Sequence, residues 1–132
     1  PSLEQAVREA DIISGITPST EALVKGAWLK PGTHLDLAGA YRPDMRETDA
    51  EAVARSRVYV DTREGAGHEA GELLQAAQEG AFDMNNIVGE LADLATGRAG
   101  GRQSADEITL FKSCGTAIED LAAAAEVYLH HA

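Results

Sequence analysis

Four short apolar runs of strand length recur along this chain, each separated from the next by a segment that is mostly of helical pattern. That alternation leaves few folds open. "DIISGIT" (11–17), "THLDLAG" (33–39), "RVYVDT" (57–62) and "EITLFKS" (107–113) are rich in Ile, Val and Leu and bounded by turn residues. Ser2 and Gln5 have capping-box spacing, and Leu3, Ala6, Val7 and Ala10 follow at i, i+3, i+4, i+7, which predicts a helix ending near Ala10. Thr48 and Glu51 repeat the box ahead of a predicted helix over 49–56. Further helices are expected from about His68 to Gln78 and over roughly 86–96, with a Gly/Arg/Ser-rich loop at 97–104. Thr116 and Glu119 open a last helix, on which Ile118, Leu121, Ala125, Tyr128 and Leu129 form one stripe up to His131. Short strands alternating with helices imply parallel strands joined by crossovers, an α/β layer structure.

Composition limits what this fold is for. The 132 residues suffice for one core, and with aromatics at 5% its packing rests on Leu, Ile, Val and Ala. A net charge of -11 repels phosphate backbones and anionic lipid surfaces, so neither nucleic acid nor membrane is an expected partner. Cys114 is the one cysteine, which excludes an intramolecular disulfide and suits a reducing cytoplasm. No apolar run approaches the roughly 20 residues of a spanning helix, and no signal-peptide pattern is present. His68 beside Glu69 lacks a third ligand at suitable spacing, so no metal site is expected. The chain opens at Pro1 directly on a helical pattern, as a piece of something longer would.

Open α/β sheets bind ligands beyond the carboxyl ends of their strands. Here those ends read Thr17-Pro18-Ser19, Gly39-Ala40-Tyr41-Arg42, Asp61-Thr62-Arg63-Glu64 and Lys112-Ser113-Cys114-Gly115. Gathered on one edge, they would offer hydroxyls, two arginines, a lysine, a tyrosine and backbone amides to a small anionic or zwitterionic substrate beside a cofactor. Ordinary turn chemistry accounts for the same Gly, Pro, Ser and Thr. A dinucleotide site also needs a Gly-rich turn between a first strand and its helix. "GAGHEAGE" (65–72) follows the third strand with the wrong spacing, and "GRAGGR" (97–102) precedes no evident helix. A complete nucleotide fold is therefore not expected in this chain.

"ADIISGITPSTEALVKGAWLKPGTHLDLAGAYRPDMRETDAE", "VYVDTRE", "EAGELL", "GELADLATG" and "DEITLFKSCGTAIEDLAAA" together resemble the C-terminal part of the ornithine cyclodeaminase/mu-crystallin family, from Ala10 to the chain end and in the same order. "RPDMRE" and "FKSCGTAIEDLAAA" carry most of the specificity. The resemblance implies a Rossmann-like domain binding NAD or NADP, with residues 1–115 its C-terminal portion. Residues 116–132 would be a helix packing on a dimerisation domain outside this chain. The implied chemistry is hydride exchange between nicotinamide and an amino-acid α-carbon or its imine, on a small amino or imino acid, in a homo-oligomer. The Gly-rich turn and the substrate-gripping arginine and lysine of the family would lie upstream, so the chain alone is expected to be inactive. A non-catalytic dimerisation or ligand-binding module is the alternative.

By the same resemblance, Thr17, Pro18 and Ser19 match a loop passing the cofactor, Gly39 and Ala40 a small pair under the nicotinamide, and Lys112 and Ser113 a motif on the nicotinamide side. Glu69 matches an acidic residue near substrate in reductase members, and Arg42 is placed to pair a carboxylate. Apart from the resemblance, these positions also read as turn chemistry, small packing residues, a solvated strand end at Lys112 and a first-turn helix acid at Glu69. Tyr41 stands where cyclodeaminases of the family carry an aspartate that acts as general acid/base. A phenol with a reference pKa of about 10 is a poor base at neutral pH. Ornithine cyclodeamination is thereby disfavoured against reduction of a ketimine or cyclic imino acid such as a pyrroline carboxylate.

Overall fold

The computed structural model describes residues 1–131. Five parallel strands make one sheet: β1 Ile12–Gly15, β2 His34–Leu37, β3 Ser56–Val60, β4 Gly89–Glu90 and β5 Ile108–Lys112, in the order β1-β2-β5-β3-β4. Six helices accompany them: α1 Leu3–Glu9, α2 Ala50–Ala54, α3 Arg63–Glu69, α4 Gly71–Gln78, α5 Leu91–Ala95 and α6 Ala117–His131. This is the parallel α/β layer structure expected from the alternating pattern, with the Rossmann-like architecture that the resemblance implies.

Register explains the core. Leu110 of β5 lies opposite Leu35 on one side and Val58 on the other, and the next row is Leu37, Lys112 and Val60. These residues project from one sheet face, because side chains alternate along a strand. Ala52 and Val53 of α2 and Leu73 and Ala76 of α4 cover that face, all fully buried. Alanine at these contacts lets helix and sheet approach closely. Each buried leucine contributes about 1.5–3 kcal/mol relative to exposure. The opposite face carries Ser14, His34, Asp36, Tyr59, Thr109 and Phe111. The 99–103 loop lies against part of it, with the Tyr59 hydroxyl donating to the Gly100 carbonyl at 2.8 Å. No described helix is long and apolar enough to cross a membrane.

Several local expectations need correction. The segment read as one helix over 86–96 holds a 3-10 turn (Met84–Asn86), then β4, then the short α5. Val88 donates to the Val58 carbonyl at 2.8 Å, so the open edge of β3 recruits it into the sheet. The helix expected from His68 is two helices joined at Ala70, and it starts earlier, where Thr62 accepts from the Gly65 amide. Thr48 is not a cap. It makes a parallel bridge with Val24, and Asp49 caps α2 instead, accepting from Ala52 at 2.9 Å and from Gly26 at 2.8 Å. The Ser2–Gln5 capping box forms as its spacing predicts. At the last helix the Thr116 amide donates to Glu119 at 3.3 Å. None of the α6 residues is buried, and Ile118, Leu121, Tyr128 and Leu129 are all exposed. Ala132, the end of the expected 116–132 segment, lies outside the described residues.

Candidate active-site crevice

Because the strands are parallel, their carboxyl ends share one edge, and the ladder continues past them into the loops. The Ala38 amide donates to the Gly15 carbonyl (2.9 Å), Ser113 to Leu37 (3.0 Å) and Asp61 to Lys112 (3.2 Å). Segments 17–19, 39–42, 61–64 and 112–115 therefore lie side by side, as the topology requires.

Buried carboxylates order this edge from behind. Asp61 Oδ2 accepts from the Cys114 and Gly115 amides at 2.7 Å each and from the Ser113 hydroxyl at 3.2 Å, while Oδ1 accepts from the Thr62 amide at 2.7 Å. Glu47 Oε1 accepts from the Thr17 amide at 2.6 Å and Oε2 from the Gly39 amide at 2.8 Å. Glu72, on the covered side of α4, accepts from the Glu47 amide at 3.2 Å. Its other oxygen lies 3.6 Å from the Lys112 ammonium, an ion-pair contact without a hydrogen bond. Burial pushes the Glu72 carboxyl above its ordinary value, and the nearby Lys112 charge opposes that shift.

The expected site residues differ in their surroundings. Thr17, Gly39 and Ala40 line the junction of the β1 and β2 loops. Gly39 and Ala40 are buried, and the Thr17 hydroxyl has no partner within the protein. Pro18 is exposed, and Ser19 closes its own turn with Glu21. Tyr41 and Arg42 stand out from the edge. Tyr41 is 51% exposed, and Arg42 pairs with Asp44, holding that carboxyl below its usual range. Ser113 is engaged with Asp61. Glu69 is not a first-turn acid: it is exposed in the last turn of α3, near enough to Cys114 for its charge to act on the thiol. Burial pushes that thiol up to about 11, so it is no nucleophile at neutral pH.

Lys112 needs the largest correction. It is 0% exposed rather than a solvated strand end, and its ammonium donates to the Leu37 carbonyl at 3.4 Å, behind the crevice wall. Glu47 and Glu72 were not legible as site residues. Glu72 precedes Leu73 and sits four residues from Ala76 in an apolar stretch, which is the one sequence sign that an acid here is buried. Among the described residues, no group of three or more His, Cys, Asp or Glu is arranged to hold a metal ion.

Comparison with known proteins gives this geometry a context. Residues 1–131 match the model of the ornithine cyclodeaminase/mu-crystallin family. The chain is 44% identical to a Delta(1)-pyrroline-2-carboxylate reductase of Paracoccus denitrificans, over 90% of this chain and 38% of that protein. It is 39% identical to the ketimine reductase mu-crystallin of Mus musculus, over 96% of this chain and 38% of that protein. The solved structure of Thermococcus litoralis Delta(1)-pyrroline-2-carboxylate reductase, in complex with NADH and L-proline, superposes with a TM-score of 0.91 at 40% identity. It spans 98% of this chain and 41% of that one. The chain thus spans about two fifths of the length of the relatives it matches.

Proposed function

This chain belongs to the ornithine cyclodeaminase/mu-crystallin family, and from that premise we propose that it supplies the nicotinamide side of an NAD- or NADP-dependent reductase of cyclic imino acids or ketimines, of the pyrroline-carboxylate type. The observation that carries the reading is where the carboxylates point. The rim acids Glu47, Asp61 and Glu72 are all turned inward, onto backbone amides or Lys112, and Tyr41 occupies the exposed position at the end of the β2 loop. Glu47, Asp61 and Glu72 are thereby turned away from a substrate, and a phenol rather than a carboxylate stands at the position from which cyclodeamination asks for a general base. An imine that arrives protonated needs no such base.

The residues present fit the cofactor. Gly39 and Ala40 put no large side chain at the β2 end, and the buried Thr17 hydroxyl has no partner within the protein. In this reading Thr17, Pro18, Ser19, Gly39, Ala40 and Ser113 border the nicotinamide, and Lys112 supports that wall through Glu72. Bound there, the dihydronicotinamide supplies the hydride. Arg42 exchanges Asp44 for the substrate carboxylate, a pairing its planar fork can make bidentately. Tyr41 hydrogen-bonds the substrate, and Glu69 favours its cationic imine. The setting is cytoplasmic, in keeping with the single cysteine.

The experiment is NADH and NADPH oxidation with Δ1-pyrroline-2-carboxylate, using the protein expressed from its complete reading frame. Steady turnover is expected. Activity with ornithine but none with any imine would overturn the reading. The same reading makes the protein a homo-oligomer in which α6 is covered, because its apolar stripe is otherwise left in water. Gel filtration of the 132-residue chain is expected to show self-association, and a clean monomer at tens of micromolar would contradict it.

A further inference from the structure

The Glu47 carboxylate touches neither substrate nor cofactor in the reading above, yet it joins the two loops on which that reading depends. It is 2% exposed, and each of its oxygens has a partner. One oxygen takes the Thr17 amide of the β1 loop, and the other takes the Gly39 amide of the β2 loop. The backbone is used as fully: Leu23 and Val24 both donate to its carbonyl at 2.9 Å, and its own amide donates to Glu72 at 3.2 Å. Desolvating a carboxylate is costly, so a position that served packing alone would be met better by an apolar side chain. Two amides on separate segments are a different demand. One planar group with two acceptor oxygens can hold both at a set separation, and charge makes each bond stronger than a neutral one.

The glycines say the same. A Cβ on Gly15 would lie 2.9 Å from Glu47 Oε1, and one on Gly39 would lie 2.7 Å from that oxygen and run into the Thr17 backbone. The carboxylate occupies the space two side chains would take, and the loops close around it. Resting on the reductase reading, we infer that Glu47 is a positioning residue whose carboxylate pins the β1 and β2 loops together, so that the loop ends built on the buried Gly39 and Ala40 hold one shape against the nicotinamide end of the cofactor. A corollary concerns which part of the cofactor these loops can take. The Thr17 and Gly39 amides are consumed by the protein, so they offer nothing to a phosphate.

The test pairs a structural readout with a binding one. In Glu47→Gln, the side-chain amide can accept from only one loop and turns an N–H toward the other. Hydrogen exchange at the Thr17 and Gly39 amides of the 132-residue chain is expected to quicken by about ten-fold or more, with Val58 and Leu110 unchanged. In the protein from the complete reading frame, NADH affinity read by fluorescence titration is expected to weaken by about ten-fold. Its KM for NADH should rise with little change in kcat. Unaltered exchange at both amides overturns the clamp. Altered exchange with wild-type NADH affinity, or a fall in kcat alone, overturns the positioning role. Wild-type protein that binds NADH but reduces no imine refutes the substrate assignment and leaves this inference standing, whereas wild-type protein that binds no NADH overturns both. Should Glu47→Gln not fold, Glu47→Asp keeps the charge but is one methylene short. It is expected to leave one of the two amides exchanging faster than the other, and equal wild-type protection of both would overturn the clamp.

Discussion

Replacing Lys112 by methionine is expected to lower unfolding free energy by about 3 kcal/mol at pH 8, and by clearly less at pH 5. The ammonium is fully buried against Glu72, and methionine keeps its volume while leaving that carboxylate without its counter-charge. Burial already raises the Glu72 carboxyl above its ordinary value of 4.5, and Lys112 opposes the rise, so the substitution raises it further. A group whose native value is raised binds its proton more tightly folded than unfolded. The stability it lends is complete below the unfolded value and is lost as pH climbs through the native one. Both proteins share the unfolded value, so the defect opens only above the wild-type native value, itself above 4.5, and is largest in alkali. Urea denaturation at the two pH values measures it. Adding Glu72→Gln to the variant removes the stranded charge and should restore most of the loss. Equal losses at pH 5 and pH 8, or a double variant no better than the single one, would mean that the pair is not what holds this region.

The second large effect is expected at Gly39. Its Cβ direction is filled by the Thr17 backbone, and backbone cannot swing aside as a flexible side chain can. Gly39→Ala must therefore part the β1 and β2 loops. About 1–3 kcal/mol of stability should go with the overpacking. If these loops carry the nicotinamide, kcat/KM for imine reduction should fall by about a hundred-fold, the scale expected for a displacement of about 1 Å at a reacting centre. Gly67→Ala serves as the control, since nothing lies within 4 Å of its added Cβ. A Gly39→Ala protein as active as the Gly67→Ala protein would show that the crevice lies elsewhere on the molecule.

Much of this edge was legible in advance. Strand runs ending in Thr17, Gly39, Thr62 and Ser113, alternating with helices, implied parallel strands, and parallel strands have no choice but to end together. What could not be read was which side chains face into the wall. Lys112 looks like any lysine at a strand end. It is buried because the register with Leu37 and Val60 sets it on the helix-covered face, opposite a glutamate 40 residues away. Glu47 ends the RPDMRE run, yet nothing local sets it apart from Tyr41 and Arg42, which are exposed. The two-residue β4 was lost for a related reason, since a strand that short has no period of its own and exists by pairing with β3.

The amino-acid order by itself determined the element types and hence the parallel sheet, because helix caps and apolar spacing act over a few neighbouring residues and need no distant partner. It also carried the family, through runs long enough to be distinctive. Only the tertiary structure decided the ionic interior of the crevice: Glu47 holding two loops, Asp61 holding a third, Glu72 facing Lys112. Whether a carboxylate is solvated or buried depends on what the fold brings against it from far along the chain, and a local pattern such as the apolar stretch around Glu72 marks burial without naming the partner.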